Sequence, residues 1–191
     1  MQKEIISRHQ LEVTLQRLAC QLVENHRDFS STVIVGIQRR GVVLAQKLGE
    51  ILCRDYGIKD LKIGTLDVTF FRDDFRRRES PAHANTTSIL FPVDNQKVVF
   101  VDDVLHTGRT QRAALSAINS FGRPSKIELL VLIHRRYSRQ LPIQPDYKGI
   151  QVDVAEGEKV IVDVTQGNER VYIEEIFSFF FEKKRPHTLV T

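Results

Sequence analysis

Residues 98–110, Val98-Val99-Phe100-Val101-Asp102-Asp103-Val104-Leu105-His106-Thr107-Gly108-Arg109-Thr110, constrain the fold of this chain more than any other segment. Four apolar residues, three of them β-branched, read as a buried strand, because a half-solvated strand would alternate apolar with polar. Two adjacent carboxylates close that strand. A short loop containing Thr107 and Gly108 follows, and then Ala114, Ala117, Ile118 and Phe121 recur at helical spacing. This order puts two acids and a nest of backbone N–H groups at the carboxyl end of a strand, where open α/β sheets bind ligands. Carboxylates accept hydrogen bonds from sugar hydroxyls, and a loop opening a helix takes a phosphate. The segment points to a sugar phosphate held at both ends.

The remaining chain repeats strand, loop and helix. Leu11, Leu15, Leu18 and Leu22 predict an amphipathic helix over 10–27. Residues Thr32 to Val35 predict a strand ending at Gly36. The loop Gly36-Ile37-Gln38-Arg39-Arg40-Gly41 then leads into a helix carrying Leu44, Leu48, Ile51 and Leu52, closed by Gly57. Residues 61–71 read as one strand. A charged stretch without apolar period, from Arg72 to about Ser88, reads as a long exposed loop, and such loops serve as lids or stay disordered. The helix after Thr110 is expected to bury Phe121 and to stop at Gly122, with Pro124 beyond. Ile127 to Ile133 is a further strand, 138–149 a loop because of Pro142, Pro145 and Gly149, and Val160–Val164 and Val171–Ile176 are short strands. Strands alternating with helices imply an α/β fold, a mostly parallel open sheet flanked by helices on both faces.

A length of 191 residues with 41% apolar content suits one domain with a full core, expected over 1–176, with 177–191 as a C-terminal extension. The aromatic run Phe177, Phe179, Phe180 and Phe181 there suits a last strand or a covered subunit surface. No stretch has the length of a membrane helix, and Met1-Gln2-Lys3-Glu4 lacks the pattern of a signal peptide. The expected location is cytoplasmic, with no membrane partner. Cys20 and Cys53 lack metal spacing and are expected to be buried or half-buried thiols inside helices. A formal net charge of +4 favours anionic partners without choosing between phosphates and nucleic acid.

Val98–Thr110 resembles the phosphoribosyl-pyrophosphate signature of the type I phosphoribosyltransferases. Four other segments narrow the resemblance: Gly36–Gly41, Leu66–Asp74, Phe121-Gly122-Arg123-Pro124 and Leu141–Tyr147. With them the chain resembles the PyrR family of pyrimidine operon regulators, which also act as uracil phosphoribosyltransferases, over about residues 5 to 175. The resemblance implies the type I fold with a small hood and a flexible β-loop lid. It also implies transfer of ribose 5-phosphate from phosphoribosyl pyrophosphate to uracil, giving UMP and pyrophosphate in pyrimidine salvage.

Under that resemblance Asp102 and Asp103 accept the ribose hydroxyls and stabilise positive charge at the sugar C1. Val104, Leu105, His106, Thr107, Gly108, Arg109 and Thr110 wrap the 5′-phosphate. Arg109 reads equally well as a solvated residue at a helix start. Gln38, Arg39, Arg40 and Gly41 take the pyrophosphate. Arg72, with Asp73 and Asp74, belongs to a lid that closes against water and reaches the pyrophosphate. Arg76, Arg77 and Arg78 read as solvated surface. Ile133, His134, Arg135 and Arg136 form the hood over the base. Mg²⁺ arrives with phosphoribosyl pyrophosphate and is held mainly by substrate and water, so no dedicated protein metal site is expected. A homodimer or larger homo-oligomer is implied.

Three departures from the family pattern stand out. His134 replaces an Asp, Arg136 replaces a Gly found in many members, and His106 replaces a Tyr in a loop that works through its backbone. Some family members also bind messenger RNA when UMP is present. Of the basic positions serving that role, Arg17 and Arg139 keep their charge, whereas Cys20, Asn25, Gln144 and Ile150 have lost it. Each lost phosphate contact weakens RNA affinity. The enzyme is therefore the leading expectation, with RNA binding reduced or lost. The competing expectation is a UMP-responsive RNA-binding transcriptional attenuator with weak or no enzyme activity. A purine phosphoribosyltransferase is a third.

Overall fold

In a computed structural model, residues 2–72 and 85–176 are described. Five strands form an all-parallel sheet in the order β3-β2-β4-β5-β6: β2 (Thr32–Ile37), β3 (Ile63–Leu66), β4 (Lys97–Leu105), β5 (Lys126–Arg135) and β6 (Tyr147–Val152). β2, β4 and β5 are apolar on both faces because both faces are covered. On one face Ile34, Val99, Val101, Leu130 and Leu132 share a core with α1 (Arg8–His26) and α2 (Arg40–Tyr56). On the other, Val33, Val35, Val98, Phe100, Leu129 and Val131 pack with Ala113, Ala114, Ala117 and Ile118 of α3 (Arg109–Ile118). The predicted open sheet with helices on both faces is present.

The strand order reverses at β2 and β4. The chain leaves β2 for β3 on one side and returns to place β4 on the other. The crevice at the carboxyl ends of those two strands is the site such sheets offer a ligand. Above it lies a second, antiparallel sheet, β1-β8-β7, made of β1 (Gln2–Ile6), β8 (Arg170–Glu175) and β7 (Glu158–Asp163). The half-buried Lys47 of α2 donates to the buried carboxylate of Glu169 at 3.1 Å, and Arg8 of α1 lies 3.6 Å from it, tying the turn before β8 to the main body.

Several sequence expectations need correcting. The segment 61–71 is one short strand followed by a 3-10 turn at Thr69–Phe71. α3 ends at Ile118, and Phe121 is 38% exposed instead of buried. The expected loop 138–149 gives way to β6 from Tyr147 onward, because Pro142 and Pro145 lie upstream of the pairing with β5 and Gly149 fits within it. α1 starts before residue 10, because Ser7 and Gln10 form a reciprocal capping box. Cys53 is exposed and Cys20 half-buried, and both are free thiols.

Candidate active site

The loops leaving β2 and β4 meet at the crevice. After β2, the Gln38–Arg39 peptide is cis, the Gln38 side chain donates to the Thr86 carbonyl at 3.1 Å, and Arg40 opens α2. Gly41 lies directly on β4: a Cβ there would stand 2.2 Å from the Val101 carbonyl oxygen and 3.1 Å from the Asp102 Cα. Only a residue without a side chain lets the first turn of α2 come this close to the acid pair. Arg40 and Gly41 thus border the acids, Gln38 turns its side chain to Thr86, and Arg39 is exposed.

The two acids differ sharply. Asp102 is 5% exposed; its Oδ1 accepts the Asp103 N–H at 2.9 Å and its Oδ2 accepts the Gln111 Nε2 at 2.6 Å. Burial, and then the charge of Asp103, pushes the Asp102 carboxyl well above the usual carboxylate range, while the two N–H donors oppose that rise. Asp103 is more open. Its Oδ1 accepts the Val104 N–H at 2.8 Å, and its Oδ2 lies 3.4 Å from Arg40. Asp103 is thus the more open acid at the crevice, and Asp102 the more buried one beside it.

Val104 to Thr110 curve from β4 into α3. Gly108, at φ 91°, lies in the left-handed region and caps the helix, and the Arg112 N–H donates to its carbonyl at 2.9 Å. A Cβ at Gly108 would also press on Leu141 at 3.3 Å, so glycine is required twice over. The segment after β5 is stitched to this loop. The N–H groups of Gln140 and Leu141 both donate to the Thr107 carbonyl, at 3.0 and 3.2 Å, and Arg109 Nε donates to Gln140 Oε1 at 2.8 Å. Arg139 donates to the carbonyl of His106 and, at 3.3 Å, to that of Arg135.

Of the expected hood residues, Ile133 is in the core, and His134 and Arg135 are each 8% exposed at the end of β5. Burial, then the charges of Arg139 and Lys148, lowers the His134 pKa against a hydrogen bond with Gln151, so the imidazole is neutral at pH 7. Desolvation, then Arg135 and Arg139, lowers His106 likewise. Arg136 turns outward into a pair with Asp153, with Nε to Oδ1 at 2.6 Å.

Arg72 is half-buried at the end of the 3-10 turn. Asp73, Asp74 and Arg76–Arg78 lie outside the described residues, as do Phe177–Phe181. Sequence reading missed the role of Asp67. Asp67 accepts from the Thr69 N–H at 2.8 Å and from the Thr69 hydroxyl at 2.6 Å, and also from the Asn85 N–H. Burial alone would raise its carboxyl, but these donors outweigh that and hold it below its ordinary value. Asp67 therefore ties the 3-10 turn at Thr69–Phe71 to Asn85. Its place two residues before a Thr, in an Asx-turn pattern, was the available signal. Asp163 of β7 is a second residue missed; its carboxylate is held low by Thr165 and feels the charges of Arg170 and Arg40.

An acid at a strand end, a phosphate-sized loop into a helix and an arginine-bearing loop against them define a phosphoribosyltransferase. The family described as the phosphoribosyl transferase domain matches residues 1–165. Within it the chain belongs to the PyrR family. "Bifunctional protein PyrR" of Caldicellulosiruptor bescii is 42% identical over 91% of this chain and 96% of its own. The protein of the same name from Gloeothece citriformis is 44% identical, over 88% and 94%. Among solved structures, hypoxanthine phosphoribosyltransferase of Trypanosoma cruzi in complex with the product IMP superposes with a TM-score of 0.71, covering 92% of this chain and 96% of that one at 13% identity. A purine phosphoribosyltransferase from Pyrococcus horikoshii gives a TM-score of 0.57 at 24% identity, covering 77% and 85%. At such identities the likeness concerns the fold.

Proposed function

We propose that this phosphoribosyltransferase converts uracil and phosphoribosyl pyrophosphate to UMP and pyrophosphate, with residues 1–176 as the catalytic domain and 177–191 as an extension. The observation carrying this reading is the meeting of Asp103, Arg40 and the 104–110 loop at the carboxyl ends of β2 and β4.

The 104–110 loop and the start of α3 anchor the 5′-phosphate. Asp103 accepts from the ribose hydroxyls and stabilises the positive charge that grows at C1 as the bond to pyrophosphate breaks. Arg40 then exchanges Asp103 for the departing pyrophosphate, whose charge it neutralises together with the N-terminal end of α2. The hydrogen bonds from Gln140, Leu141 and Arg139 to the phosphate loop fix the distance between the phosphate and the base under the hood. That fixed distance brings C1 and the base nitrogen into line. Arg72 and the lid exclude water from the sugar cation. Mg²⁺ arriving with phosphoribosyl pyrophosphate would offset charge on the leaving pyrophosphate. Asp103, half-buried and open to the crevice, suits contact with the ion through water.

Two observations support a reduced RNA role. Arg17 directs its Nη2 to the carbonyls of Lys148 and Gly149, at 3.3 and 2.5 Å, and Arg139 directs Nη1 and Nη2 to the carbonyls of His106 and Arg135. We place the protein in the cytoplasm as a homodimer or larger homo-oligomer. No described helix is long and apolar enough to cross a membrane, and Phe70, Leu90 and Phe71 present apolar surface for self-association.

The test is pyrophosphate release with Mg²⁺, phosphoribosyl pyrophosphate and, in separate reactions, uracil, hypoxanthine, guanine and orotate. Turnover with uracil alone is expected. Turnover with a purine and none with uracil would move the protein to another base.

A further inference from the structure

The antiparallel sheet meets the main body through apolar contact. Val160, Val162 and Val171 share a core with Leu11 of α1 and with Leu44 and Leu48 of α2. Such contact has no direction, so it holds two surfaces together without fixing where along each other they stop. Glu169 supplies the direction. It stands immediately before β8, and its side chain is 8% exposed. Its Oε1 accepts from Lys47 Nζ of α2 at 3.1 Å, and its Oε2 accepts from the Gly167 N–H at 3.0 Å. Arg8 lies 3.6 Å from Oε2 but is 60% exposed and shared with Glu12 at 3.4 Å. Lys47 is therefore the principal partner. A buried ion pair gains little over apolar packing in stability, and the register it imposes is its better use.

That register reaches the crevice through α2. Lys47 and Arg40 are seven residues apart, close to two turns, so they share one face of the helix about 10 Å from each other along its axis. Arg40, the first residue of α2, lies 3.4 Å from Asp103 Oδ2. Asp163 of β7 stands opposite Arg170 in the sheet register and feels the charge of Arg40 as well as that of Arg170. The antiparallel sheet thus engages the same helix face twice, by charge near Arg40 and by a hydrogen-bonded pair at Lys47. A helix is stiff, so a shift at Lys47 is carried to Arg40.

We propose that Glu169 is a positioning residue for the loop that takes pyrophosphate: by pairing with Lys47 it pins α2 against the antiparallel sheet and holds Arg40 in place opposite Asp103. The inference rests on the phosphoribosyl-transfer reading and deepens it. Neither Glu169 nor Lys47 needs to touch the substrate for this role. Once the pair is broken, the apolar contact remains, α2 is free to slide or roll on it, and Arg40 loses its fixed place.

The test is a double-mutant cycle of wild type, Lys47→Met, Glu169→Gln and the two combined, each checked for native circular dichroism. Each single variant should raise the KM for phosphoribosyl pyrophosphate by about 5- to 50-fold, the span of coupling between separate sites. The affinity for Mg²⁺–pyrophosphate, titrated by calorimetry, should fall by the same factor, and the KM for uracil should stay within about twofold. The combined variant should be no worse than either single one, because both remove the same pair. Lys47→Arg keeps the cation and should recover most of the affinity. A purely structural role would lower the folded fraction, and with it the apparent kcat, while leaving both KM values alone. If a single variant fails to fold, the combined one, which leaves no lone buried charge, carries the test. Unchanged pyrophosphate affinity in the folded variants, equal losses for uracil and phosphoribosyl pyrophosphate, or single losses that add in the combined variant would overturn the proposal. Absence of wild-type turnover with every base would sink the transfer reading instead, and the calorimetric titration would still decide whether Glu169 positions the loop.

Discussion

Asp102 is a carboxyl whose position costs stability. Its pKa is raised in the folded chain by burial and by Asp103, above an ordinary value of 3.8. A raised folded pKa means that the folded state holds the proton more tightly than the unfolded chain. The group therefore costs nothing below the unfolded pKa, and its penalty grows as pH rises toward the folded value. Asp102→Asn should be more stable than wild type at pH 8, and the gain should shrink as pH falls toward the ordinary carboxylate range. Urea melts of both proteins across that range check this, and a pH-independent difference would contradict it. The place of the acid pair at the carboxyl end of a buried strand was legible in the sequence, because two adjacent carboxylates directly follow four apolar residues. That the two acids differ in burial was harder to read. It depends on Gln111, nine residues on, whose partner is fixed only once α3 lies over β4.

Helices and central strands were easiest to read at the level of elements. α1, α2, β2, β4 and β5 are long or strongly apolar, and their cores follow the sequence period. Edge elements were not. β1 is five residues, mostly exposed, and owes its existence to pairing with β8, some 170 positions away in the chain. β6 was obscured by two prolines just upstream. Phe121 fits the apolar period of α3, but the helix stops before reaching it. The junction of α2 with β4 makes a sharp demand. Gly41→Ala places a methyl 2.2 Å from the Val101 carbonyl oxygen, and backbone must give way. We expect a loss of about 1–3 kcal/mol in stability, the range for overpacking, together with weaker binding of phosphoribosyl pyrophosphate. Thermal melts and calorimetric titration read the two effects. A variant as stable as wild type would show that α2 can slide.

Taken whole, the molecule is a parallel sheet that supplies the crevice and a small antiparallel sheet that roofs it, joined through Lys47, Arg8 and Glu169. The second sheet was legible only as the short strands Val160–Val164 and Val171–Ile176, because its third strand, β1, comes from the other end of the chain and pairs at long range. Beneath the main sheet, at the far end from the crevice, His26, Glu128, Tyr147 and Thr32 form a closed polar network. It satisfies the starts of β2, β5 and β6 and leaves the chemistry to the opposite end. That separation gives the account its central claim: transfer occurs where Asp103 and Arg40 face the phosphate loop. The most direct test is UMP formation from labelled uracil and Mg²⁺–phosphoribosyl pyrophosphate by wild type and by Asp103→Asn. Wild type should form UMP and pyrophosphate in equal amounts, and the folded variant should be slower by about 100- to 1,000-fold, the loss typical of removing one electrostatic stabiliser. No UMP from wild type, or equal rates for the two proteins, would contradict the account.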